Sequence, residues 1–203
     1  MVIKVCGMKH AGNIRELDKL KPDMTGFIFH SSSPRFADAV PEYMPDSSLR
    51  VGVFVNSDTD YILYKVREFG LNLVQLHGNE SPEQCRAIRS KGIDIIKAFS
   101  LKTADVDTLT APYDGLCRYY LFDTPCPAYG GSGKTFDWTL TQSYHGNTPF
   151  LLSGGIRPES LEQISSFRHP SFAGIDINSG FETAPGLKDT EAIAKFIKRL
   201  RTL

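Results

Sequence analysis

Short apolar runs rich in β-branched residues punctuate the chain at nearly even intervals: Val2–Cys6, Thr25–His30, Arg50–Val55, Leu73–His77, Asp94–Phe99, Tyr119–Asp123, Phe150–Ser153 and Phe172–Ile177. Their length and composition are those of buried strands. Between most of them apolar residues recur at helical spacing. Asn13–Leu20 carries Ile14, Leu17 and Leu20, and Asp60–Phe69 carries Ile62, Leu63, Val66 and Phe69. Ser81 is placed to cap Pro82–Ser90, with Pro82 in the first helical position and Glu83 near the positive helix end. Pro158–Phe167 and Thr190–Leu200 repeat the pattern, with Thr190 the expected N-cap for Ile193, Phe196, Ile197 and Leu200.

Strands alternating with helices make an α/β protein with a parallel sheet. Eight such units predict closure into a single (β/α)8 TIM barrel spanning 1–203 as one catalytic domain. Such barrels run to about 200–250 residues. A chain of 203 residues therefore needs shortened helical connections, and Pro34–Ser48 and Lys102–Leu116, with prolines and weak periodicity, are the candidates. An open doubly wound sheet is the alternative, but it does not require even spacing to the last residue.

Barrel strands alternate inward and outward. With Ile3 and Val5 facing the helices, Lys4 and Cys6 point inward; with Val74 and Leu76 outward, Gln75 and His77 point inward. Asp123 shares its face with Leu121, and Asp176 lies between the outward Ile175 and Ile177. Cys6, His77, Asp123 and Asp176 thus sit near the carboxyl ends of four strands, where barrel active sites are built. A cysteine alone reads as a small core residue and a histidine alone as a structural one. Two acids, an imidazole and a thiol at one height are harder to explain by packing. Lys4 and Gln75, two residues deeper, read as a buried polar network beneath the site.

Three glycine-rich loops follow the last three barrel strands: Tyr129–Lys134, Ser153–Pro158 and Asn178–Phe181. Barrels often hold phosphate on the loops after strands seven and eight, where glycine lets backbone N–H groups approach an anion. Gly154, Gly155, Ser179 and Gly180 fall there. Gly130–Lys134 is longer than a turn needs and suggests a lid, against the simpler reading of a surface loop. Arg35, after Ser33-Pro34, would stand near the barrel mouth with a planar fork suited to a carboxylate or phosphate.

Composition narrows the partners. The chain has 23 basic and 23 acidic residues, which argues against a nucleic-acid binder. No apolar run approaches the ~20 residues of a membrane span, and Met1–Cys6 is too short and polar for a signal peptide. None of Cys6, Cys85, Cys117 and Cys126 forms a C-x-x-C pair, so no zinc or redox motif is expected. The expected setting is the cytoplasm, with reduced thiols.

The order and spacing of these motifs resemble phosphoribosylanthranilate isomerase. They are Lys4–Met8, Ser33–Arg35, Val53–Asn56, Val74–Gly78, Leu121–Thr124, Gly130–Trp138, Leu152–Ile156, Gly174–Glu182 and Pro185–Asp189. The resemblance covers nearly the whole chain. It implies a (β/α)8 barrel that performs an Amadori rearrangement of N-(5-phosphoribosyl)anthranilate to 1-(2-carboxyphenylamino)-1-deoxyribulose 5-phosphate in tryptophan biosynthesis, with no cofactor and no metal. It implies Asp123 as general acid and Cys6 as general base. Arg35 is implied for the anthranilate carboxylate, His77 and Asp176 for substrate binding with Asp176 toward a hydroxyl, and Gly154, Gly155, Ser179 and Gly180 for phosphate. The implied partner is this small phosphorylated substrate, and the protein a monomer or homodimer. Both catalytic roles demand perturbed groups: a free carboxyl titrates near ~3.9 and a free thiol near ~8.5. Asn178 stands where serine is common, Ser153 where alanine is common, and His30–Ser33 is unlike many members.

Two rival readings remain at this stage. Another phosphosugar barrel would share the fold. Of these, a synthase calls for a catalytic lysine–glutamate set, and a metal-dependent epimerase for histidines on several strands. A catalytically silent phosphate binder would not require Cys6 and Asp123 together.

Overall fold

The computed structural model describes residues 1–101, 105–123 and 138–202. Eight parallel strands close on themselves in chain order: β1 Val2–Val5, β2 Met24–Ile28, β3 Leu49–Phe54, β4 Leu73–Leu76, β5 Asp94–Ser100, β6 Tyr119–Asp123, β7 Phe150–Leu152 and β8 Phe172–Ile177. Closure runs through β1 and β8, which pair from Val2 with Gly174 to Val5 with Ile177. The (β/α)8 barrel expected from the spacing is the architecture, and the open sheet is excluded.

The alternation is as the strands predict. Ile3, Val5, Val74, Leu76, Phe122, Ile175 and Ile177 face outward into the main core, against helical residues such as Ile14, Leu17, Ile62, Cys85, Ile88, Ile193 and Phe196. The inward residues Met24, Val51, Leu73, Ile96, Ala98 and Leu121 form a second cluster that plugs the amino-terminal half of the barrel. Burying each large apolar side chain stabilises the fold by about 1.5–3 kcal/mol.

The α-helices are α1 Ala11–Asp18, α2 Thr59–Phe69, α3 Pro82–Arg89, α4 Val106–Thr110, α5 Leu161–Ser166 and α6 Thr190–Leu200. Asp58 and Ser81 cap α2 and α3 through the N–H groups of Tyr61 and Gln84. Three helices depart from expectation. Helix α1 starts two residues before Asn13. The Pro158–Phe167 segment is a 3₁₀ turn, Pro158–Ser160, leading into α5. There the Ser160 hydroxyl accepts from the Arg157 N–H, and Ser165 and Ser166 bond back onto carbonyls as α5 ends. The cap of α6 is Asp189 rather than Thr190. The carboxylate of Asp189 accepts the Ala192 N–H at 2.9 Å, leaving Thr190 inside the helix.

The connection after β2 has no α-helix. The Asp18 carboxylate at the end of α1 ties it down, accepting from Tyr43 Oη, the N–H groups of Asp46 and Ser47, and Ser47 Oγ. After β5 only the five-residue α4 and a 3₁₀ turn, Ala111–Tyr113, are described. The expected lid at Gly130–Lys134, and Cys126, lie outside the described residues. Between β8 and α6 a small antiparallel hairpin, β9 Glu182–Ala184 and β10 Leu187–Lys188, is added outside the barrel. No helix among the described residues is long and apolar enough to cross a membrane.

Candidate active site

A cavity of 420 Å3 opens at the carboxyl ends of the strands, within the range of about 300–1,000 Å3 typical of small-ligand sites. Cys6, Arg35, His77, Asp123, Gly154, Gly155, Asp176, Ser179 and Gly180 all line it, so every site residue drawn from the sequence comes to one place. A wider hollow of 660 Å3 lies at the other end of the barrel. There Arg50 pairs with Asp46 and Arg118 with Asp94, and among the described residues no thiol, imidazole or glycine-rich-loop donors accompany them.

Cys6 follows β1, with its N–H bonded to the Ile177 carbonyl at 2.9 Å. The thiol packs over Gly26 of β2: a Cβ there would come 2.9 Å from Sγ. Glycine at this inward position is what gives the thiol its room. Burial pushes the Cys6 thiol up, opposed by the positive charges of Lys4 and Lys188. The sequence reading called for help toward a thiolate; the direction is the opposite, and burial favours the thiol.

Beneath Cys6, the fully buried Lys4 donates to Asp176 Oδ2 at 2.9 Å. Burial works against the Lys4 charge, but Asp176 and Cys6 beside it outweigh that and hold the ammonium above its ordinary value. Asp176 Oδ1 is buried and accepts no hydrogen bond among the described residues. It is an acceptor in want of a donor, at the wall of a cavity.

Across the barrel, His77 Nε2 lies 3.2 Å from Asp123 Oδ2. Its other ring nitrogen lies 2.8 Å from the amide Nε2 of Gln75. The deeper network expected of Lys4 and Gln75 is thus one pair under Asp176 and another under His77. The His77 backbone is fixed as well: its N–H bonds to the Phe54 carbonyl, and Glu80, paired with Lys97 at 3.1 Å, accepts the next N–H, that of Gly78.

Gly154 and Gly155 both have positive φ, 82° and 70°. Among the described residues the N–H groups of Gly154, Gly155, Ser179 and Gly180 have no acceptor. A cluster of unspent donors on two adjacent loops has the chemistry an anion calls for.

Arg35 reaches the cavity but is not isolated. Its guanidinium is paired with Glu182, through Nε at 2.9 and 3.0 Å and Nη2 at 2.7 Å. Glu182 also takes Lys188 Nζ at 2.6 Å. The sequence reading assigned neither residue a role, although both lie within motifs it used. The available signal was a pair of opposite charges in a short turn-rich segment, which is equally a signal of surface. Among the described residues no cluster of histidine, cysteine and acidic side chains could hold a metal ion.

The sequence model of the family described as N-(5'phosphoribosyl)anthranilate (PRA) isomerase matches residues 3–199. N-(5'-phosphoribosyl)anthranilate isomerase of Phocaeicola vulgatus is 51% identical over 201 residues, 99% of this chain and 98% of that protein. Phosphoribosyl anthranilate isomerase from Thermus thermophilus superposes with a TM-score of 0.83 at 28% identity, covering 100% of this chain and 99% of that one. A phosphoribosyl anthranilate isomerase in complex with reduced 1-(o-carboxyphenylamino)-1-deoxyribulose 5-phosphate superposes with a TM-score of 0.78 at 30% identity, covering 100% of both chains. The match runs through every barrel strand, and the chain belongs to the N-(5'-phosphoribosyl)anthranilate isomerase family.

Proposed function

We propose that Cys6 and Asp123 carry the two proton transfers of the isomerisation this family performs, with the whole chain, 1–203, acting as one catalytic domain. The observation that carries the reading is that a thiol and a carboxyl line one cavity together with an arginine and a cluster of unspent backbone N–H groups. The substrate has matching parts: a carboxylate at one end, a phosphate at the other, and between them an aminoaldose that must gain a proton at oxygen and lose one at carbon.

The steps follow from that arrangement. The carboxyl of Asp123 donates a proton to the furanose ring oxygen; the C1–O bond breaks, and C1 becomes an iminium ion. Cys6 takes the proton from C2, and its electrons form the C1–C2 double bond of an enol. Tautomerisation, with a proton returned to C1, gives the aminoketose. Each transfer by a positioned acid or base is worth about 10²–10⁴-fold. The iminium charge favours the thiolate and so works against the burial that pushes the Cys6 thiol up. Asp176 Oδ1 accepts from a sugar hydroxyl, His77 lines the sugar side, and Arg35 receives the anthranilate carboxylate. Gly154, Gly155, Ser179 and Gly180 hold the phosphate. The step needs no oxidant and no electrophile beyond these protons. The protein works as a monomer or homodimer in the cytoplasm, where its free Cys6, Cys85 and Cys117 stay reduced.

The test is turnover of freshly made phosphoribosylanthranilate, followed by loss of its fluorescence. The expected result is loss far above the spontaneous decay. Folded protein that leaves the decay unchanged overturns the reading and favours a silent phosphate-binding barrel.

A further inference from the structure

The hairpin between β8 and α6 belongs to no barrel unit. Its two strands hold only five residues, yet they bury an ion pair: Glu182 and Lys188 stand opposite each other in register, 5% and 0% exposed, with Nζ and Oε1 2.6 Å apart. Burying two charges is costly unless further partners are supplied. Here they come from the active-site loops and from the hairpin's own turn. Lys188 also donates to Asn178 Oδ1 at 2.7 Å, and the Gly186 N–H adds a bond to Glu182 Oε1 at 3.0 Å. Glu182 grips Arg35 at both Nε and Nη2.

The hairpin is itself anchored. The Asn13 side chain of α1 bonds both backbone groups of Lys188, donating to its carbonyl at 2.9 Å and accepting its N–H at 2.8 Å. Gly7, in the loop after β1, closes the arrangement. At φ +80° it packs where a Cβ would come 2.8 Å from both Arg35 Cδ and Asn178 Oδ1. The guanidinium is therefore held edge-on by a rigid element, and its Nη1 makes no bond among the described residues.

We propose that the β9–β10 hairpin sets selectivity for the ring carboxylate of the substrate, with Glu182 orienting Arg35 and Lys188 restoring the positive charge that Glu182 cancels. A bidentate carboxylate alone would leave Arg35 neutralised. With Lys188 the three charges sum to one positive, and that charge is presented through Arg35 Nη1. Glu182 and Lys188 are positioning residues, since neither lines the cavity. The proposal rests on the isomerase reading and on Arg35 as the carboxylate site.

The experiment uses two stable ligands: the reduced product analogue, and the same molecule without its ring carboxylate. Affinities are measured for the unaltered protein, Glu182→Gln, Lys188→Met, Arg35→Ala, and the double variant Arg35→Ala/Glu182→Gln. The expected result is that Glu182→Gln and Lys188→Met each weaken the carboxylated ligand about tenfold or more, the value of a charge-assisted bond, and leave the other within about twofold. In the Arg35→Ala background, Glu182→Gln adds nothing, because it acts through the absent guanidinium. Equal losses for both ligands, or losses that add to Arg35→Ala, overturn the proposal. Should Glu182→Gln not fold, Glu182→Asp keeps the charge and withdraws the fork, with the same expectation. If neither ligand binds the unaltered protein, the isomerase reading fails, and this proposal with it.

Discussion

Asp123 meets His77 at the mouth of the barrel, Oδ2 to Nε2 at 3.2 Å, and the ring behind that contact is held by Gln75 at 2.8 Å. Gln75 and His77 are thereby held as one unit, with the imidazole between the Gln75 amide and the Asp123 carboxyl. Gln75 lines the floor of the cavity and fixes the ring that faces Asp123. Replacing it by Leu should lower kcat about tenfold or more with little change in KM, the signature of a group felt only in the transition state. Steady-state kinetics check this; a change confined to KM would place Gln75 in substrate binding instead.

Lys4 and Asp176 make a pair that neither partner can leave cheaply. Lys4→Met strands a buried carboxylate and should cost about 3–5 kcal/mol, read as a lowered denaturation midpoint. The double variant Lys4→Met/Asp176→Leu should regain much of that stability, because an apolar pair fills the space without a lone charge. Activity should not return with it, since Asp176 Oδ1 is gone from the wall of the site. Recovery of turnover in the double variant would contradict the role given to Asp176.

The Cys6 thiol titrates in a direction that can be observed. Burial holds its folded value above that of an exposed thiol, so the native protein stays protonated while an unfolded chain ionises from about pH 8.5. The stability this gives is present below that pH and is lost as pH rises through the folded value. Alkylation of Cys6 by a small reagent should therefore be slow near neutrality and accelerate only above about pH 8.5. Lys4→Met, which removes an opposing positive charge, should move the onset higher still. Rapid alkylation at neutral pH, with no substrate added, would show a thiolate already formed and contradict this.

Asp18 does for the β2–β3 connection what a helix does elsewhere in the barrel. Burial alone would raise its carboxyl, but bonds from Ser47, Tyr43 and the backbone outweigh that and hold it below its ordinary value. A depressed carboxyl adds stability that is full above about pH 3.9 and is lost as pH falls through the folded value. Asp18→Ala should cost about 1–3 kcal/mol near neutrality by leaving its donors unpaired. Thermal melts between pH 3 and 7 should show the difference from the unaltered protein shrinking toward the acid end.

The barrel was legible because strand parity and even spacing survive in a chain buried on two faces. Ile3, Val5, Ile175 and Ile177 announce the outer layer, and the polar residues between them fall inward by arithmetic. The site was legible for the same reason, down to the deeper Lys4 and Gln75. What escaped is held by long-range polar contacts that leave no period. The carboxylate of Asp18 organises a loop some thirty residues away, so Pro34–Ser48 reads only as an absence of helix. The β9–β10 strands, three and two residues long, are too short to alternate visibly. The cap of α6 was missed by one residue because Asp189 and Thr190 are both good caps, and only the backbone angle of Asp189, extended at ψ 92°, separates them.

The proposed chemistry moves two protons with two named groups, Asp123 and Cys6. The most direct measurement is the single-turnover rate on phosphoribosylanthranilate for the unaltered protein, Asp123→Asn and Cys6→Ser, each shown to fold and to bind the reduced product analogue. The predicted result is a loss of about 10²–10⁴-fold in both variants with affinity for the analogue largely kept. Near-native turnover in either folded variant would contradict the assignment of that proton.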